Sequence, residues 1–262
     1  MNRRYSILGL AVGLALSVGA GADNSVTIKG SGHLKANIDA SGARDSAIEL
    51  YQVSPYTPGQ YNQAGSDGSP VTQSGSGHTA RIGQGATYSG GVWTETGVPV
   101  SGNVATVRQT GASGATALIQ QTSSNNTVIV NQAGAAAMAV INQGGAGNNT
   151  ANVSTTGAYT GDGVVVTQTG ASNIASVTGM SGGSANVSQS GTGGYVNLEN
   201  QSSGALNISQ QGTNNALTVT NYGTGASAGV PLSITQTGVG GAATTYNPDP
   251  APTGPGYSTN PP

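Results

Sequence analysis

The chain contains no cysteine and no phenylalanine, and its one tryptophan is Trp93. Without cysteine, no disulfide can staple a small scaffold. With aromatic residues at only 4%, the large side chains that usually fill a globular core are missing. Charge is also scarce, at 6% of residues. That excludes the basic face a nucleic-acid partner needs, and disordered chains are usually far more charged. The acidic residues are scattered, so no paired-carboxylate system is visible. His33 and His78 are the only histidines, and both sit beside Gly-rich turns. They read as surface turn residues rather than metal ligands. No Gly-Gly-x-Gly-x-Asp calcium repeat occurs. The sequence therefore predicts no catalytic residue, no cofactor site and no metal site, and the chain reads as a non-enzyme.

What the chain does have is small and polar. Glycine is its dominant residue, with 44 copies, and proline has 11. Together they make about 21%, below the roughly 25–30% that marks aperiodic low complexity. The first residues resemble an export signal. Arg3 and Arg4 precede an apolar run from Ile7 to Val18, and Ala20-Gly21-Ala22 has the small-x-small form of a cleavage site. Residues 1–22 are expected to be removed, leaving Asp23 first. The run is shorter than the roughly 20 residues of a bilayer span, and no later stretch is apolar enough for one. Loss of the two arginines would take the net charge from −2 to −4.

The order lies in a repeat. Val128-Ile-Val130-Asn-Gln132-Ala-Gly134 alternates apolar and variable positions, then places Gln, a variable residue and Gly. The same pattern closes on Gln109, Gln168, Gln189, Gln210 and Gln236. The anchors Gln109, Gln121, Gln132 and Gln143 are spaced by 12, 11 and 11. Earlier anchors with looser matches are Gln52, Gln63, Gln73 and Gln84; Asn200 and Asn221 replace Gln later, and Gly179 interrupts. About 19 such segments fall between Asp23 and Gly238 by this reckoning.

The position two before each anchor is apolar or aromatic throughout. It reads Ile28, Ile38, Leu50, Tyr61, Val71, Ile82 and Trp93 in the first part. It continues Val107, Ile119, Val130, Ile141, Val153, Val166, Val177, Val187, Leu198, Ile208, Val219 and Ile234, the predicted apolar core. Period-two alternation with β-branched residues predicts strands with one buried face. Trp93 on this register points to core packing rather than carbohydrate stacking. One five-residue strand cannot offset its own ordering entropy; a stack of them can. The predicted fold is an all-β solenoid with cross-β stacking. It has two short strands per coil, about nine to ten coils, and a length on the order of 45 Å at roughly 4.8 Å per layer. Stacked glutamines would form a polar ladder, because an amide both donates and accepts.

These residues resemble curlin, the subunit of bacterial curli fibres, whose repeats carry Ser-x5-Gln and Gln-x4-Asn-x5-Gln. Gln121, Asn126 and Gln132 match the second pattern throughout. Gln210 and Asn215 match its first part with Asn221 last, Gln168 and Asn173 match with Gly179 last, and Ser46 and Gln52 match the first pattern. Asn126, Asn173 and Asn215 thereby join the predicted ladder. The resemblance covers roughly residues 25–238 and is strongest over 100–225. Several turns are longer than the family's, and the Ser is usually replaced. The resemblance implies a two-strand coil, export through an outer-membrane pore and nucleated amyloid polymerisation at the cell surface, for adhesion and biofilm matrix. The implied partners are further copies of the chain, a nucleating subunit and the pore.

Four regions are expected: the signal (1–22), charged and less regular repeats (23–108), regular repeats (109–240) and a Pro-rich flexible tail (241–262). All five positive residues after the signal lie at or before Arg108. Early charge and proline disfavour uncontrolled strand pairing, so the later repeats are the expected assembly body. Rival readings are a monomeric solenoid adhesin or ice-binding module, which needs a regular Thr face, and a β-helical polysaccharide enzyme, which needs clustered acids.

Overall fold

The structure is a computed structural model that describes residues 4–18, 23–55, 60–134, 136–155, 163–178, 185–198, 206–219, 232–239 and 244–246. Gly179, Asn200, Asn221 and nearly all of the Pro-rich tail lie outside the described residues. Every described element is a strand, and the fold is a parallel β-solenoid of about 7 turns.

The N-terminal strands are β1 (Arg4–Val18), β2 (Ser25–Arg44), β3 (Ala47–Val53), β4 (Asn62–Ala64), β5 (Val71–Ser76) and β6 (Thr79–Gln84). Two further strands, β7 (Ala86–Ser89) and β8 (Val92–Glu95), stand apart as their own sheet. The regular body follows: β9 (Val104–Ser113), β10 (Thr116–Gln121), β11 (Thr127–Gln132), β12 (Met138–Gly147) and β13 (Thr150–Thr155). It continues with β14 (Val164–Ala171), β15 (Ile174–Val177), β16 (Ala185–Thr192), β17 (Tyr195–Leu198) and β18 (Leu206–Thr213). The last strands are β19 (Ala216–Val219), β20 (Leu232–Val239) and β21 (Thr244–Tyr246).

Pairing in the large sheet is parallel and falls into two series. One runs β3, β6, β10, β12, β14, β16, β18, β20. The other runs β9, β11, β13, β15, β17, β19, β21. Strand β2 feeds both: its first half pairs with β3 and its second half with β4 and β5, which in turn pair with β9. Strand β1, the expected signal segment, lies parallel on the other edge of β2.

Alternation within each strand sets which face is buried. In β10 the outward Thr116, Leu118 and Gln120 alternate with buried Ala117, Ile119 and Gln121. In β11 Val128, Val130 and Gln132 are buried in the same way. One contiguous apolar cluster runs through the coils. It includes Val107, Ile119, Val130, Ile141, Val153, Val166, Val177, Val187 and Ile208. Leu198, Val219 and Ile234 hold the same register, opposite Val177, Leu198 and Ile208 respectively. Identical positions stack because a one-residue slip would turn every core side chain outward.

Two expectations are corrected. Tyr61-Asn-Gln63 and Val71-Thr-Gln73 do not make separate rungs. Ala64 pairs with Ala36, and Val71 pairs with Ile38. Strands β4 and β5 therefore form a single rung, interrupted by an excursion over 65–70 that carries a Ser66–Ser69 bridge. Because Asn62 and Ala64 point inward, Tyr61 and Gln63 point outward. Trp93 is not a core residue either. It lies on β8, paired antiparallel with β7 and outside the coil stack.

The glycine two after several of the anchors has a steric cause. Gly170, Gly191 and Gly212 have φ of 118°, 123° and 113°. A Cβ on Gly191 would stand 1.9 Å from the carbonyl oxygen of Gly212 in the next rung, and one on Gly170 would meet Gly191 in the same way. The rungs approach more closely here than any side chain allows. Replacing Gly191 by Ala is therefore expected to cost about 2–4 kcal/mol, through a left-handed backbone plus a direct clash. Ser190→Ala next to it should be nearly silent. Urea unfolding of freshly diluted chain reads the difference, and equal midpoints would contradict the steric account.

Candidate functional site: amide ladders inside the coil

The predicted anchors form hydrogen-bonded chains in the interior. In the first series Gln52, Gln84, Gln121, Gln143, Gln168, Gln189 and Gln210 are all buried. Each donates from Nε2 to Oε1 of the next: 2.6 Å for Gln52–Gln84, 2.9 Å for Gln84–Gln121 and 3.0 Å for Gln121–Gln143. The chain continues at 2.8 Å, 2.8 Å and 3.0 Å to Gln168, Gln189 and Gln210. Gln236 pairs with Gln210 in the strand register. The second series carries a shorter ladder, Gln73 to Gln109 to Gln132, at 2.8 Å and 2.9 Å.

The second amide proton has a use that periodicity could not reveal. It crosses the coil to a backbone carbonyl at the start of the facing strand. Gln121 donates to Val104, Gln143 to Thr127, Gln168 to Thr150, Gln189 to Ile174 and Gln210 to Tyr195. From the other side Gln73 reaches Ala47, Gln109 reaches Thr79 and Gln132 reaches Thr116. Each glutamine thus joins neighbouring rungs and also ties the two sheet series together.

Asn126, Asn173 and Asn215 are buried. The first two belong to a different ladder, whereas Asn215 stands apart, its Nδ2 turned to the Gln211 carbonyl at 2.9 Å and its Oδ1 without a partner. In that ladder a side-chain oxygen accepts the backbone N–H of the equivalent residue one rung on. Asn103 N–H donates to Asn62 Oδ1, Asn126 to Asn103, Asn149 to Asn126 and Asn173 to Asn149, over 2.8–3.3 Å. Gly194 donates to Asn173 from the same position. Asn62, Asn103 and Asn149 were missed, because insertions or one extra residue shift them away from the five-residue offset of Gln121–Asn126. The residue before each Asn after Asn62 was the available signal. Gly102, Asn125, Asn148, Ser172 and Asn214 all have φ between 56° and 71°. Glycine and asparagine tolerate such corners best.

Other predicted members do not join. Gln63 points outward and its Nε2 turns back to the Gly65 carbonyl at 2.6 Å. The second Gln ladder stops after Gln132, because Thr155 occupies the next place and its buried Oγ1 has no partner. His78, expected at the surface, is fully buried at a corner. Its Nε2–H donates to the Ser74 carbonyl at 3.1 Å, and its Nδ1 accepts from the Ala115 N–H at 3.2 Å. Among the described residues no group of three or more His, Asp or Glu is placed to hold a metal ion.

The β7–β8 hairpin lies over the outward face beside these coils. Gly90 and Gly91, with φ of 57° and 86°, make its two-residue turn. Gly-Gly between alternating runs is itself a hairpin signal in the sequence. Tyr51 of β3 donates its hydroxyl proton to Glu95 of the hairpin at 2.9 Å. Burial first, then this bond and the carboxylate's charge, push the Tyr51 phenol above its ordinary value.

Compared with family models, curated proteins and solved structures, the chain has no match.

Two outcomes follow from this geometry. Gln121→Ala leaves Gln84 without its acceptor and Gln143 Oε1 without its donor, and removes the cross-coil bond to the Val104 carbonyl. It should cost about 3 kcal/mol in urea unfolding, whereas Gln63→Ala should stay within about 0.5 kcal/mol. Similar losses for the two would remove the ladder's claim. The raised Tyr51 pKa favours the neutral phenol in the fold. Its contribution is complete below about pH 10, the ordinary value, and is lost as pH rises through the folded value. Trp93 emission should shift in that alkaline window in the native chain and stay flat in Tyr51→Phe.

Proposed function

We propose that the chain is a secreted structural subunit that assembles with copies of itself into extracellular, curli-like amyloid fibres, serving adhesion and biofilm matrix. The observation that carries this reading is the open stack. Among the described residues β20 pairs only with β18, and β21 only with β19. An edge of parallel, in-register strands is a template for the next identical layer. The described strands after Arg108 carry no charged residue to oppose such addition. In this reading each coil holds two short strands, and nine to ten coils make up the rod.

The rest of the proposal follows from the resemblance to curlin and from the N-terminal sequence. Residues 1–22 act as the export signal, and their removal bares the β2 edge. The partners are further copies, a nucleating subunit and an outer-membrane pore; the location is the cell-surface fibre. No catalysis is assigned. A regular ice-binding face is not supported, since outward residues of successive rungs vary from Thr106 and Arg108 to Ile129 and Asn131, then Asn152 and Ser154.

Residues 23–262, diluted from denaturant, should convert to thioflavin-binding fibres visible by electron microscopy. Gln121→Ala combined with Gln132→Ala should lengthen the lag several-fold. A chain that stays monomeric for days with stable β circular dichroism overturns the polymer reading and favours the adhesin module.

A further inference from the structure

Among the described residues, single apolar side chains such as Leu118, Ile129 and Ile174 are scattered over the outward surface, and at one place aromatic rings cluster there. An insertion between Gln84 and Asn103 brings the only tryptophan of the chain to the outside, on the β7–β8 hairpin. Trp93 stacks on Tyr51 with ring centres 6.0 Å apart and planes 27° apart. Tyr88 packs against its other neighbourhood, centre to centre at 5.0 Å. The guanidinium of Arg81 sits 4.8 Å from the Tyr88 ring centre. Beneath the indole is Gly83, where a Cβ would lie 2.2 Å from Trp93 Cζ3. The ring is therefore seated on bare backbone, and the absence of a side chain at position 83 is what admits it.

Between the hairpin tip and the outward residues of β2 and β3 lies a cavity of about 420 Å³. Trp93, Val92 and Tyr51 supply its apolar wall; Thr27, Lys29 and Glu49 supply polar groups. Glu49 is held by Arg81 at 3.2 Å, which fixes the carboxylate in place. The polypeptide builds this arrangement at the cost of breaking its own repeat, so it is not a by-product of coil stacking.

We propose that this cleft is a saccharide-binding site that takes one or two hexopyranose units of a neutral oligosaccharide. The assignment is independent of whether the chain polymerises. A pyranose with equatorial hydroxyls offers an apolar C–H face to an aromatic wall, while its hydroxyls both donate and accept. Lys29 and Thr27 can donate to them, and Glu49 can accept from them. The volume falls within the roughly 300–1,000 Å³ range of small-ligand sites. The two cations Lys29 and Arg81 are balanced by the two carboxylates Glu49 and Glu95 around the cleft, so no net charge attracts a phosphate or a nucleic acid. An all-aromatic ligand would leave the Lys29, Thr27 and Glu49 groups unpaired.

Trp93 is its own reporter, since no other tryptophan contributes to the emission. The full chain is titrated with cellohexaose and, separately, with chitohexaose, and followed by Trp93 fluorescence and by calorimetry. A saturable change with at least one of them is expected. Tyr51→Ala, and Trp93→Ala read by calorimetry, should weaken binding at least about tenfold, the loss of a stacking contact. Lys29→Ala, a surface change that leaves the coil core untouched, should weaken it about threefold. Circular dichroism of each variant checks that the solenoid persists. No saturable response to either sugar overturns the assignment, and so does binding that Trp93→Ala, Tyr51→Ala and Lys29→Ala all leave unchanged.

Discussion

The whole solenoid depends on how the buried glutamine amide divides its two protons. One goes along the stack to the next glutamine, and the other goes across the coil to a backbone carbonyl of the facing strand. An interior of Ala, Val and Ile provides little apolar area per coil, so sheet-to-sheet cohesion cannot come from burial alone. The amide supplies directed bonds in a setting with no competing water, where each is stronger and each omission is costly. A leucine of similar volume would fill the space but would break the bonds both along and across the stack.

That interaction has a direction. Every described Gln–Gln bond points from the earlier rung to the later one. The acceptors at the start of both ladders, Gln52 Oε1 and Gln73 Oε1, accordingly have no partner. Gly30 stands opposite Gln52 in the β2 rung and brings no donor. The asparagine ladder runs differently, because it links a side-chain oxygen to the backbone N–H of the next corner. The two ladders are therefore distinct devices, one bridging strands and one pinning turns. The tight glycine contacts at 170, 191 and 212 complete the rung spacing.

The hairpin shows what the coil tolerates. Its chain leaves the stack after Gln84 and returns before Asn103, yet Gln84 still bonds Gln121 and Asn103 still bonds Asn62. Insertions are harmless when both ends rejoin the ladders, since the closure entropy of a longer loop grows slowly. The same reasoning covers the excursion between Ala64 and Val71. Function-bearing groups can then be placed on the outside without disturbing the interior.

Much of this was legible in the chain itself. Period-two alternation marked the strands, and Val107, Ile119, Val130, Ile141, Val153, Val166, Val177, Val187 and Ile208 fell on buried positions because side-chain direction in a strand is local. The Gln anchors were legible for the same reason, whereas the Gly two residues after Gln168, Gln189 and Gln210 answers the close approach of the next rung. What only the tertiary structure decided is which segments share a rung. Tyr61-Gln63 and Val71-Gln73 look like two repeats, and Trp93 looks like another, because a short motif carries no information on its partner. Register across 20 or more residues is set by long-range pairing, and so are the cross-coil amide bonds, the missing rung at Thr155 and the burial of His78. The strands and their inward faces were thus determined by the sequence alone. The ladders, and the aromatic cleft beside them, exist only once distant rungs are stacked.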